Sequence, residues 1–242
     1  MKKAKLFSLL FFTIFFNYGI YAQSDVSLET NVDFVSRYVW RGLNIGDAPS
    51  AQPSITLSAS GFSFGVWGAY GLSNNATATD EIDIWASYAH EFENSMSLSF
   101  IVTDYTFPNS GVKFFNFNNY DNADGHGGHT LEAGASLAFG EKLPLTLSAY
   151  YNFYNDAGSN SYFQIDYSTN IKEVSLDLFC GASPGSEDNP GCYGTDKFNV
   201  INIGAKVSKE VKVTEDFSLP VFVSYIINPR TEISYLVLGI SL

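Results

Sequence analysis

The sequence predicts an all-β fold, a transmembrane antiparallel up-and-down β-barrel of about twelve strands with both termini in the periplasm. Three observations predict it. Segments of roughly ten residues alternate apolar with small polar side chains, the period of a strand with one greasy and one wet face, and they recur from residue 26 to the end. The chain opens with an export signal and later shows no apolar run approaching the roughly 20 residues of a membrane-spanning helix. The connections between alternating segments are by turns short and long, as tight turns on one side of a membrane and loops on the other require.

Residues 1–22 read as the signal: Lys2, Lys3 and Lys5, an apolar run from Leu6 to Phe16, a polar break at Asn17 and a small residue, Ala22, at the cleavage point. Residues 23–242 then form one barrel domain, with no linker or shift in composition dividing it. Strands must embed it, because an unpaired backbone group in hydrocarbon costs several kcal/mol and closed barrels leave none.

In the opening segment, residues 26–40, Val26, Leu28, Thr30, Val32, Phe34, Tyr38 and Trp40 share one side, while Glu29, Asn31, Asp33, Arg37 and Arg41 share the other. Ile55, Leu57 and Ala59 follow, then a turn at Ser60 and Gly61 and the set Phe62, Phe64, Val66 and Tyr70, a hairpin. Ile82, Ile84, Ala86 and Tyr88 pair through a turn near Asn94 with Met96, Leu98, Phe100 and Val102; the alternation breaks near Asp104. Leu131 to Phe139 and Leu145 to Phe153 flank a turn near Glu141, and Phe163 to Tyr167 and Val174 to Cys180 flank one near Asn170. The last runs are Ile201 to Val207, Phe217 to Ile227 and Glu232 to Leu242.

With both termini periplasmic, the turns near Ser60, Asn94, Glu141, Asn170 and Lys212 are the short set, at roughly two to eight residues. Residues 42–49, 73–80, 108–129, 155–160 and 183–197 are the outer loops, and only the link at Pro229 and Arg230 is tight. Aromatics at strand ends, among them Tyr38, Trp40, Phe62, Phe139, Phe153, Tyr167, Phe217 and Tyr225, fit two interfacial girdles.

Loss of the three signal lysines takes the formal net charge from −12 to −15, a poor match for nucleic acid. Only 16% of residues are charged, so the wet faces consist largely of Ser, Thr, Asn and Gly, which suit a crowded barrel interior better than the surface of a soluble sandwich.

The stretch Ser36-Arg37-Tyr38-Val39-Trp40-Arg41-Gly42, followed by Gln52-Pro53, resembles the TorF family of outer-membrane porins, as does the closing Tyr225-Ile226-Ile227-Asn228-Pro229. The resemblance implies a barrel running over nearly the whole mature chain. It implies no particular solute.

By parity Glu29, Asp33, Arg37 and Arg41 share the inner face of the first strand, and Asp83, Glu132, Asp166, Asp177 and Lys206 lie on inner faces elsewhere. Charges inside a barrel must be paired or hydrated. Two readings follow: a cationic strip facing acids, which selects solutes by a transverse field, or a salt-bridge network that stiffens or plugs the interior. Trp67, Trp85, Tyr150 and Phe222 also point inward and narrow the space.

The longest loop, residues 108–129, contains Asp121, Asp124, His126 and His129. These are weak metal candidates, because the calcium series is incomplete and two imidazoles make half a zinc site. We read the segment as a solvated loop able to fold into the lumen, with no cofactor. Cys180 and Cys192 flank a Pro- and Gly-rich loop and are expected to close it as a disulfide in an oxidising compartment. With only three His and no nucleophile in a strained glycine turn, an enzyme is not expected.

The function expected is a passive channel for small, polar or cationic solutes in the outer membrane of a Gram-negative-type bacterium. Its partners would be outer-membrane lipid, the barrel insertion machinery and the solutes. The alternatives are a plugged barrel acting through its outer loops, in structure or adhesion, and a secreted soluble sandwich.

Overall fold

A computed structural model describes residues 26–73, 80–118, 127–156, 158, 160–188 and 190–242. The signal segment, most of the 73–80 loop, and Asp121, Asp124 and His126 lie outside the described residues. The strands are β1 (Ser27–Val35), β2 (Tyr38–Trp40), β3 (Leu43–Gly46), β4 (Ser50–Ala59), β5 (Phe62–Gly71), β6 (Glu81–Glu91), β7 (Ser97–Thr106), β8 (His129–Ala138), β9 (Leu145–Tyr154), β10 (Ser161–Ile171), β11 (Val174–Ser183), β12 (Asn199–Lys212), β13 (Ser218–Asn228) and β14 (Ile233–Ser241). All but β2 and β3 form one closed antiparallel barrel of neighbours, sealed where β1 meets β14 through Asp33↔Ser241, Phe34↔Ile240 and Val35↔Gly239.

Parity sets the two faces. Leu28, Phe34, Ile55, Leu57, Phe100, Phe163, Leu236 and Leu238 are outward and exposed, which in water would be a large penalty and in hydrocarbon is the stable state. Inward hydroxyls pair across neighbouring strands, Ser58 with Ser63 and Ser136 with Ser148, each at 2.8 Å. Bulky inward rings are accommodated by glycine on the next strand. Trp85 covers Gly65, Tyr150 covers Gly134, Phe179 covers Gly204 and Phe222 covers Gly239, each ring lying where a Cβ would stand.

The short turns at one end follow from local chemistry. Ser60 and Gly61 both adopt positive φ, 52° and 83°, the left-handed pair that a two-residue hairpin needs to match strand twist. At the other end lie the long connections, 72–80, 107–128, 155–160 and 184–198, together with the tight link after β13.

The opening segment differs from the sequence expectation. The wall strand stops at Val35, and residues 38–46 form a separate two-stranded ribbon, β2–β3, outside the barrel sheet. Residues 42–49 are therefore not a plain outer loop, and Tyr38 and Trp40 do not belong to a girdle. Tyr38 is buried against Trp67, and Trp40 stacks on Tyr193 with centroids 5.8 Å apart. A two-residue alternation cannot distinguish a ring that faces lipid from one folded back into the lumen.

Candidate functional site: the lumen constriction

The ribbon turns at Arg41 and Gly42, with Trp40 paired to Leu43. Both central residues have positive φ, 48° and 79°, so Arg41 holds a left-handed conformation that disfavours non-glycine residues by about 1–2 kcal/mol. Gly42 is obligatory for a second reason: a Cβ there would stand 2.0 Å from the Ile201 carbonyl oxygen of β12. The tip thus presses directly onto the barrel wall. Asn228, at the end of β13, donates from Nδ2 to the Gly42 carbonyl at 3.1 Å and fixes the tip from a third side.

The strain at Arg41 is offset by its side chain. Nη1 donates to Glu132 Oε2 at 2.6 Å and Nη2 to Oε1 at 2.9 Å, the two-pronged pairing that guanidinium and carboxylate planes favour. Nη1 also donates to the Tyr193 hydroxyl at 2.7 Å, and the Tyr105 hydroxyl donates to Glu132 Oε1 at 2.9 Å. The rings of Tyr150, Trp40 and Tyr162 lie 4.2, 4.5 and 4.6 Å from the guanidinium carbon, a cation–π cage. The Arg41 and Glu132 side chains are 11% and 4% exposed, so the pair is largely desolvated.

This arrangement relocates two of the sequence-derived candidates. Arg37 and Arg41 are not on the inner face of the first strand. Arg41 sits at the ribbon tip, while Arg37, beyond the end of β1, lies over the Tyr235 ring and 3.8 Å from Asp47. They form no shared cationic strip. By register Glu29 pairs with Thr56 and Asp33 with Gln52 on the inward side, and Asp83, Glu132, Asp166 and Asp177 also face the lumen. Asp177 stands opposite Lys206, whose ammonium lies 4.2 Å from the Phe222 ring. Asp166 accepts from Gln164 Nε2 at 2.7 Å in a chain that runs on to Tyr162.

Among the described loop residues, those of 184–198 fold inward, whereas Phe114 and Phe117 of the loop before β8 pack on His129. Tyr193 reaches Arg41, Thr195 Oγ1 bonds Ser183 Oγ at 3.2 Å, and Cys192 N donates to Asn160 Oδ1 at 3.1 Å. Arg230 latches it from the β13–β14 link, with Nη2 3.3 Å from both Asp196 Oδ1 and the Gly194 carbonyl. The Asp196 carboxyl is held below its ordinary pKa, first by backbone hydrogen bonding and then by Arg230 and Lys197, so the latch stays charged in mild acid.

Cys180 and Cys192, expected to pair, are unjoined thiols in this structure. Cys180 belongs to the outward set of β11 with Leu178, whereas the loop carrying Cys192 is drawn inward by Tyr193 and Asn160. His129 is also engaged, against Asp104 and the Phe114 carbonyl, and among the described residues no group of three metal-ligating side chains converges.

Two cavities flank the ribbon. One of about 250 Å³ lies against β6–β9 and is lined by Trp40, Leu43, Glu81, Tyr105, Asn152 and Asp156. The other, about 200 Å³, lies against β12–β14 and β1 and is lined by Asp33, Arg37, Tyr38, Gln52, Lys206 and Phe222. A closed twelve-strand barrel with a ribbon pinned across a polar, acid-rich lumen defines a porin-like architecture. Its solved neighbours agree: a structure described as "KdgM porin" shares the fold at a TM-score of 0.52 and 13% identity, covering 87% of this chain and 97% of that one. A second, from work headed "Unveiling the Mechanism Behind the in-meso Crystallization of Membrane Proteins", matches at 0.52 and 12%, covering 91% and 83%. Residues 20–214 match the family described as "Bacterial protein of unknown function (Gcw_chp)", and the chain belongs to that family. The porin-like barrel implied by the TorF resemblance agrees with these neighbours, whereas the family matched is Gcw_chp. No curated protein matches the chain.

Proposed function

We propose that this protein is an outer-membrane channel through which small polar solutes, preferentially cations, diffuse passively, and that the β2–β3 ribbon with Arg41 sets its narrowest point. The observation that carries the reading is the ribbon itself, pinned across a polar lumen with a cavity on either side. Inward-facing acids, namely Glu29, Asp33, Glu81, Asp83, Glu132, Asp166 and Asp177, outnumber the lumen cations Arg37, Arg41 and Lys206, which raises the local concentration of cations. In this reading the termini are periplasmic, the long loops face outward, and the partners are outer-membrane lipid, the insertion machinery and the solutes. The wall does no chemistry beyond sorting by size and charge.

A second reading is favoured by one observation, the dryness of the Arg41–Glu132 pair. It makes the barrel a plugged one acting through its outer loops. Planar-bilayer recording of the folded chain under a salt gradient separates the two. Discrete steps with a cation-leaning reversal potential support the channel; silence from an inserted, heat-modifiable barrel supports the plug.

A further inference from the structure

In the connection between β7 and β8, the described residues Phe114 and Phe117 lie against His129 on the outer face of the barrel. By register Asp104 pairs with Ile84 and Leu131, and with them it faces outward; so does His129. Asp104 stands two residues from the end of β7, where the outward face reaches the edge of the apolar band. A polar pair on that face needs cover. His129 Nδ1 lies 2.8 Å and 3.0 Å from the two Asp104 oxygens, and Nε2 meets the Phe114 carbonyl, while the residue is only 1% exposed. The Phe117 ring stacks on the imidazole at 3.8 Å, and Phe114 meets it edge-on at 4.9 Å. Tyr154 Oη donates to the Phe117 carbonyl, and Asn155 Nδ2 donates to the carbonyls of Gly127 and His129, so the flap is tied to β9 as well.

Its far side is apolar. Phe115 is 80% exposed, Phe114 51% and Phe117 44%, and β9, to which the flap is tied through Tyr154, carries Tyr151 and Phe153 exposed on its outward face. We propose that this flap is a membrane foot: the rings of Phe114, Phe115 and Phe117 dip among the acyl chains at the edge of the outer leaflet, and the Asp104–His129 pair, its imidazole buried, is the pin that holds them there. The occupant is lipid because the cluster continues the barrel's own apolar wall, and aromatic rings settle at the edge of the hydrocarbon. The proposal rests on the outer-membrane reading above.

The test uses the full mature chain in vesicles of phosphatidylcholine brominated on its acyl chains. Native Trp40, Trp67 and Trp85 all face inward, so an indole introduced by Phe115→Trp reports the foot, and Phe153→Trp reports the wall. The foot predicts strong quenching of Phe115→Trp, comparable to that of Phe153→Trp. Adding His129→Ala should reduce quenching at position 115 and leave it unchanged at 153. Quenching at 153 without quenching at 115 would overturn the foot and leave the barrel reading intact, and protection at 115 that grows with protein concentration would assign the cluster to a second copy instead. Quenching at neither position would overturn both readings.

Discussion

Asn228 and Gly42 are 186 positions apart in the chain and meet in a buried hydrogen bond, the Asn228 amide donating to the Gly42 carbonyl. The bond ties the last outer link of the barrel to the tip of a ribbon that begins beyond its first strand. Two of the stretches that carry the porin resemblance, 36–42 and 225–229, are therefore the two sides of one contact. Removing the donor with Asn228→Ala should strand a buried carbonyl and cost about 1–3 kcal/mol. The midpoint of urea unfolding in detergent would fall, and Asn228→Asp, which also lacks the donor, should do no better.

Gly42→Ala confronts both the positive φ and the Ile201 carbonyl, a backbone atom that cannot move aside. The ribbon tip should lift off the wall. Trp40 fluorescence would shift toward the solvated range while far-ultraviolet circular dichroism keeps its strand signature. An unchanged emission would mean that the tip is not seated on β12.

Glu132→Gln leaves the Arg41 charge largely buried without its counter-ion, and loss of one partner of such a pair costs about 3–5 kcal/mol. The double substitution Arg41→Met with Glu132→Leu removes both charges and should recover most of that loss. A double-mutant cycle on urea midpoints checks it, and additive losses would show that the two side chains do not couple.

The free thiols predict a labelling pattern. Cys180 should react with an apolar maleimide and resist a charged one, while Cys192, at the loop end, should accept the charged reagent without prior reduction. Reactivity that appears only after dithiothreitol would restore the disulfide.

How much of this was readable in advance follows from the range of each signal. A strand's period is local, so the twelve wall strands, the Ser60–Gly61 turn and the alternation of short and long connections were all legible. Parity also put Trp67, Trp85, Tyr150 and Phe222 on inward faces, but not over particular glycines, because the pairing of Phe222 with Gly239 depends on a register that no single segment specifies. The ribbon was hidden for a physical reason. Tyr38 and Trp40 continue the apolar alternation of β1, and the same period serves a ring in lipid and a ring in a crowded lumen. The Arg41-Gly42 dipeptide, with its glycine in the second turn position, was the one local clue to a tight hairpin. His129 reads, with His126, as half a zinc site because its partner, Asp104, lies a strand away, and the break in alternation at Asp104 is its trace in the sequence.

The position of the narrowest point is read from the single-channel conductance of the folded chain in planar bilayers, compared with a variant in which residues 38–46 are replaced by a short Gly-Ser link. If the ribbon sets the constriction, the variant should pass larger unitary currents than the native chain while retaining cation preference from the wall acids. Equal unitary conductance from two demonstrably inserted barrels would rule out the ribbon and place the narrowest point elsewhere.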